Sequence, residues 1–210
     1  LLGLVGSEMC IRDRNLTVLP TRGSYEVAIK QRGGDPRNSV GMYFHASNSA
    51  FIEYRNTQSA MSTAVHEAVH AINKAVLGYT PRWLNEGFAE YFEITKNHMQ
   101  TGIVEPNTSW TINNKLAKGV FNISRLIGSE ESWKQNNTSK LYASSWATIY
   151  FLMDSSQGRI LLKNIMLAEQ EFPCNKLPPK QLKNMLHSQF PNFSKVYAQW
   201  LKTPFKAHNF

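Results

Sequence analysis

The sequence predicts an α+β domain in which a small N-terminal sheet precedes two central helices and a helical C-terminal half. Three observations carry that reading. Short apolar runs bounded by turn residues crowd the segment before Gln58, the apolar spacing then switches to a helical period, and it stays helical between prolines and glycines to the end. With 210 residues, 42% of them hydrophobic and 18% charged, the chain can bury one core and is too apolar to be disordered.

Residues 1–14, "LLGLVGSEMCIRDR", resemble the translation of a sequencing adapter and are set apart as a non-native leader. The true N-terminus, with any export signal or preceding domain, is then expected to be missing, and 15–210 reads as one domain. Setting the leader aside leaves the net charge of +8 unchanged, because Arg12 and Arg14 offset Glu8 and Asp13. It also leaves Cys174 without an intramolecular partner, so no disulfide is expected.

The sheet part covers 15–57. There "SYEVAIKQ" (24–31) alternates like a strand, "GGDPRNSVG" is a loop, and "GMYFHA" (41–46) and "AFIEYR" (50–55) are strands around a short turn. The central helices cover 58–95. From about Gln58, Met61, Val65, Val69, Ile72 and Val76 recur at helical spacing as one apolar face, and Gly78 and Pro81 stop the helix. A second helix, about Arg82 to Thr95, buries Leu84, Phe88 and Phe92. After the loop "GIVEPNTSW", residues 96–210 hold helices over 112–118, 122–134, 139–154, 157–170, 178–188 and 192–202. No apolar run approaches the ~20 residues of a membrane span. The basic residues are dispersed, which excludes a nucleic-acid groove and suits a mildly cationic surface facing anionic envelope material or acidic substrates.

Chemistry concentrates in "TAVHEAVHAINKAVLGYTPRWLNEGFAEYFE" (63–93). His66 and His70 stand one helical turn apart, where two imidazoles can reach one cation, and Glu67 lies beside them as a proton acceptor. A histidine pair of this kind arises by chance often enough to need a third ligand. Glu86 supplies one, sixteen positions on and behind a turn that folds the second helix back. Two histidines, a glutamate and a water make a catalytic zinc set, so one Zn²⁺ per chain is expected; a charged face of a helical pair is the alternative.

"HEAVH" followed by "WLNEGFAEYFE" resembles the glutamate-zincin peptidases, the clan of thermolysin and aminopeptidase N, over about residues 40–155. The short spacer is similar to that of small bacterial peptidase-MA-like domains of uncharacterised function. The resemblance implies a zincin-like fold and zinc-dependent hydrolysis of a peptide or protein substrate. It makes Glu86 the third zinc ligand and Glu67 the general base. It also implies that Glu90, one turn after Glu86, accepts a hydrogen bond from His66 and fixes its tautomer. Glu93 is assigned to the solvated face. Tyr142, opening the helix "KLYASSWATIYFL", is expected to stabilise the oxyanion, although Ala-Ser-Ser-Trp follows it where relatives carry Gly-Ala. The strand holding Gly41, Met42, Tyr43 and Phe44 is expected to be the sheet edge to which substrate adds. No amine-capturing motif is present, which favours an endopeptidase or another specificity over an aminopeptidase. A periplasmic or secreted bacterial protein is expected. Two alternatives remain open: an inactive zincin-fold scaffold for envelope or protein partners, and a zinc hydrolase acting on a non-peptide amide.

Overall fold

The computed structural model describes residues 15–98, 101–111, 120, 123–128, 130–134, 138–172 and 174–210. The leader 1–14 and the helix expected over 112–118 lie outside these residues, as do 122 and 129 of the helix expected over 122–134.

The first sheet joins β1 (Asn15–Leu19), β2 (Gly41–Phe44) and β3 (Ser49–Glu53) in the order β1-β3-β2. β1 runs parallel to β3, while β2 is antiparallel to it and forms one edge. Between β1 and β2 the structure corrects one expectation: residues 24–31 are not a strand but most of helix α1 (Arg22–Lys30). Thr21 caps it through a reciprocal pair of hydrogen bonds with Ser24. Tyr25 and Ile29, one turn apart, are fully buried and pack with Phe51, Met42 and Phe44. A strand would have sent Val27 to the same face, yet Val27 is 56% exposed.

Helix α2 (Thr57–Leu77) follows from an Asn56 cap and stops at Gly78, whose φ of 77° lies in the left-handed region that favours glycine. Its orientation differs from the expected one. Met61, Ile72 and Val76 are about half exposed or more, while Ala60, Glu67, Val69, Ala71, Asn73 and Leu77 face inward. The inward face is therefore narrow and partly polar, and it packs on α3 (Arg82–Phe92) and the sheet.

The second half is mostly helical. It comprises the short α4 (Thr108–Thr111) and α5 (Ile123–Ile127), a 3₁₀ turn (Glu130–Lys134), then α6 (Ser139–Met153), α7 (Ser156–Gln170), α8 (Pro179–Gln189) and α9 (Phe193–Trp200). A second sheet, absent from the sequence reading, joins β4 (Thr95–His98), β5 (Thr101–Val104) and β6 (His208–Asn209). Tyr91 ties the last of these in place, since its hydroxyl meets His208 Nδ1 at 2.7 Å. The result is an α+β chain with a helical majority, and among the described residues no helix is long and apolar enough to cross a membrane.

The main core sits where α3 crosses α6, with Trp83, Leu84, Trp146, Ala147, Ile149 and Tyr150 essentially fully buried. Gly87 permits this approach. A Cβ there would lie 2.7 Å from Ile149 Cγ1 and 2.9 Å from the Ser145 carbonyl oxygen, and the latter belongs to helix backbone that cannot step aside. Gly87→Ala is expected to destabilise the fold by about 1–3 kcal/mol, read as a lowered midpoint in denaturant.

α7 carries an uncompensated carboxyl. Glu169 is fully buried; one oxygen accepts the Leu177 N–H at 3.1 Å and the other has no partner. Burial raises its pKa to about 7 from an ordinary 4.5. The folded chain thus binds this proton more tightly than the unfolded chain does. That contribution to stability is fully present below about pH 4.5 and lost as pH rises through about 7. Glu169→Gln should therefore raise the thermal midpoint at pH 8 by roughly 5 °C, on the order of 2 kcal/mol, and change it little at pH 5.

Candidate metal centre

The motif "WLNEGFAEYFE" can be read residue by residue as the device that delivers Glu86 to α2. Trp83 and Leu84 anchor α3 in the core. Asn85 Oδ1 accepts from Asn73 Nδ2 at 2.9 Å and pins α3 to α2 one turn beyond His70. Gly87 fits α3 against α6 on the opposite side. Between these fixtures the buried Glu86 points at the histidine pair.

His66 Nε2 lies 3.6 Å and His70 Nε2 3.5 Å from Glu86 Oε2, and the two imidazoles meet edge to face at 4.8 Å between centroids. One ligand atom from each residue falls within 4.8 Å of the other two. Ligand atoms held ~2.0–2.1 Å from a tetrahedral zinc are about 3.4 Å apart, close to the two carboxylate–imidazole spacings. Glu86 Oε2 is buried without a hydrogen-bond partner. An orphaned carboxylate oxygen facing two imidazole nitrogens is a donor set that fits a cation.

The electrostatics agree. Burial alone would push the Glu86 carboxyl up, yet the imidazoles of His66 and His70 beside it hold it well below the usual carboxylate range. Burial alone would lower His66, but Glu86 and Glu93 outweigh it and hold the imidazole well above its ordinary value. The pocket favours positive charge. A divalent cation held by the two imidazoles and Glu86 would supply it.

The second carboxylate on His66 is not the expected one. His66 Nδ1 meets Glu93 Oε2 at 3.1 Å, whereas Glu90 Oε2 accepts the indole N–H of Trp110 at 2.7 Å. Helical geometry gives the reason. Glu93 follows Glu86 by seven residues and returns to nearly the same face, while Glu90 is turned further aside. Glu90 nevertheless stays close, for its carboxylate with Glu93 and His66 forms a second cluster able to hold a metal. Burial, reinforced by the charge of Glu93, raises Glu90 to about 7.

Glu67 is buried, and desolvation raises its carboxyl against the opposing pull of His66, His70 and the Tyr43 backbone amide. β2 makes room for it at Gly41, where a Cβ would sit 2.7 Å from Glu67 Oε1 and collide with Thr63 Cγ2. The strand holding Gly41, Met42, Tyr43 and Phe44 is thus a sheet edge lying against Glu67. Met42 and Phe44 pack into the small core with Tyr25 and Ile29, and the Tyr43 hydroxyl donates to Asn48 Oδ1 at 2.5 Å.

The residues considered so far span α2, α3 and β2. A family comparison covers the first two: DUF1570, described as a protein of unknown function, matches residues 60–173, more than half of the chain. The chain belongs to the DUF1570 family. His66, Glu67, His70, Glu86, Glu90 and Glu93 all fall within the DUF1570 match, as does Tyr142, whereas β2 precedes it. No curated protein matches the chain.

Tyr142 sits in the first turn of α6, half-buried and edge-on to Trp133 at 5.1 Å. Burial raises its phenol, as does the charge of Glu86. The charge of Arg82, a residue that went unnoticed in the sequence, opposes that rise. Its Nε lies 3.6 Å from Glu86 Oε1, its guanidinium stands over the Trp133 ring, and its backbone N–H donates to Glu130 at 2.8 Å. Arg82 therefore stands beside the oxygen of Glu86 turned away from the histidines, and its charge is felt at Tyr142. The only signal for it in the sequence is its place one turn before Glu86.

Proposed function

We propose that this DUF1570 chain is a zinc-dependent hydrolase of peptide bonds built on a zincin-like fold, with His66, His70 and Glu86 holding one zinc. The observation that carries this reading is Glu67. A structural zinc site fills its coordination with four protein ligands and has no use for a desolvated carboxylate at its side, whereas three ligands and a base are a catalytic set. Bound there, zinc would supply Lewis-acid polarisation of a carbonyl and acidify water.

The chain's own residues do the rest. Glu67 takes the proton of the attacking water and passes it to the departing amine, a task that its raised proton affinity suits. Glu93 holds the His66 ring by Nδ1 and so turns Nε2 toward the ligand cluster. Tyr142, packed edge-on to Trp133, offers its hydroxyl to the developing oxyanion. An extended peptide laid along the free edge of β2 runs beside Glu67. Tyr142→Phe is expected to lower kcat on the order of a hundredfold at little change in KM.

The reading is tested by incubating the zinc-loaded chain with a mixed peptide library and mapping cleavage by mass spectrometry, before and after chelation. Cleavage that disappears with zinc and returns on its re-addition supports it. A zinc-replete protein that leaves every peptide intact contradicts it, and hydrolysis of small amides alone would move the substrate to the non-peptide class.

A further inference from the structure

The C-terminal segment has an unusual charge pattern. Residues 172–210 contain six lysines and no aspartate, glutamate or arginine, so they carry six of the eight net positive charges. Within this segment α8 and the start of α9, together with α5, enclose an open cavity of about 250 Å³. Lys183 and His187, one turn apart on α8, and Lys195 of α9 line it. Ser124, Asn192 and Ser194 add polar groups. No acidic side chain lines the cavity, and neither Lys183 nor Lys195 forms an ion pair among the described residues.

We propose that this cavity binds a phosphate group. The ammonium groups of Lys183 and Lys195 are compact point charges of the kind that bind phosphate, and the imidazole and serine hydroxyls add donors for its remaining oxygens. A carboxylate would leave part of so donor-rich a cavity unused. The first turn of α9 supports the same charge, because the Asn192 side chain makes no capping hydrogen bond there. The phosphate can belong to a lipid headgroup or to a small phosphorylated compound, and the assignment stands independently of the metal centre.

The test uses the full chain. Backbone amide shifts of Lys183, Ser194 and Lys195 are followed by NMR during titration with inorganic phosphate, and sedimentation is measured with phosphatidylglycerol and phosphatidylcholine vesicles. The double variant Lys183→Gln/Lys195→Gln is compared with Lys163→Gln/Lys202→Gln, which removes equal charge from exposed lysines outside the cavity. Saturable shifts weakened roughly tenfold in the first variant and little in the second support the site. Selective sedimentation with phosphatidylglycerol, relieved by phosphate, then names a headgroup as the source, and its absence names a small compound. No saturable shift, or equal weakening in both variants, overturns the proposal.

Discussion

Glu86→Ala is expected to lower zinc affinity by roughly a hundredfold or more, because it removes a ligand where even a supporting partner is worth 10–100-fold. The side chain lies 3.5 and 3.6 Å from the two imidazoles through one oxygen, and that oxygen has no other partner. Deleting it leaves two histidines alone, a set that binds weakly and without the geometry of three. Competition against a chromophoric chelator measures the change. The variant should stay folded, since the motif's anchoring residues Trp83, Leu84, Asn85 and Gly87 are untouched, and far-UV circular dichroism checks this. Equal affinity in parent and variant would mean that zinc sits elsewhere, with the His66, Glu90 and Glu93 cluster the next place to look.

Glu67→Gln should separate chemistry from metal binding. The amide keeps the volume beside Gly41 and can still accept the Tyr43 N–H, but it cannot take up a proton. The expected outcome is one zinc per chain, unchanged in affinity, with kcat/KM on a cleaved peptide reduced about 10²–10⁴-fold. A variant that retains full activity would remove Glu67 from the mechanism. A variant that loses zinc as well would make Glu67 a contributor to the cluster rather than a base beside it.

The ligand cluster was legible in the sequence because it is local. His66 and His70 share a face of one helix, and Glu86 arrives on the next helix after a turn that Gly78 and Pro81 announce. The partner of His66 was legible only in part: the seven-residue step from Glu86 returns Glu93 to nearly the same face, but whether that face meets His66 depends on how α3 crosses α2. The same reason hid Arg82, whose role depends on Tyr142 arriving from α6. Segment 24–31 was misread because its alternation fits a strand as well as a helix until Phe51 selects the face that Tyr25 and Ile29 share. β1 and β6 gain their partners from distant strands, and β6 pairs with β5 across more than half the second part of the chain. On α2 the apolar positions predicted a helix correctly, but only Val65 and Val69 of them turn to the core, because part of the inward face is given over to Glu67 and Asn73.

The central claim is that His66, His70 and Glu86 hold a single zinc with a position left for chemistry. X-ray absorption at the zinc edge, on full-length protein purified with one metal equivalent, tests it most directly. The account predicts one tightly held zinc per chain, a first shell of nitrogen and oxygen at ~2.0–2.1 Å, and the outer-shell scattering of two imidazoles. Failure to retain zinc under metal-replete conditions, or a shell of oxygens without imidazole, would contradict it.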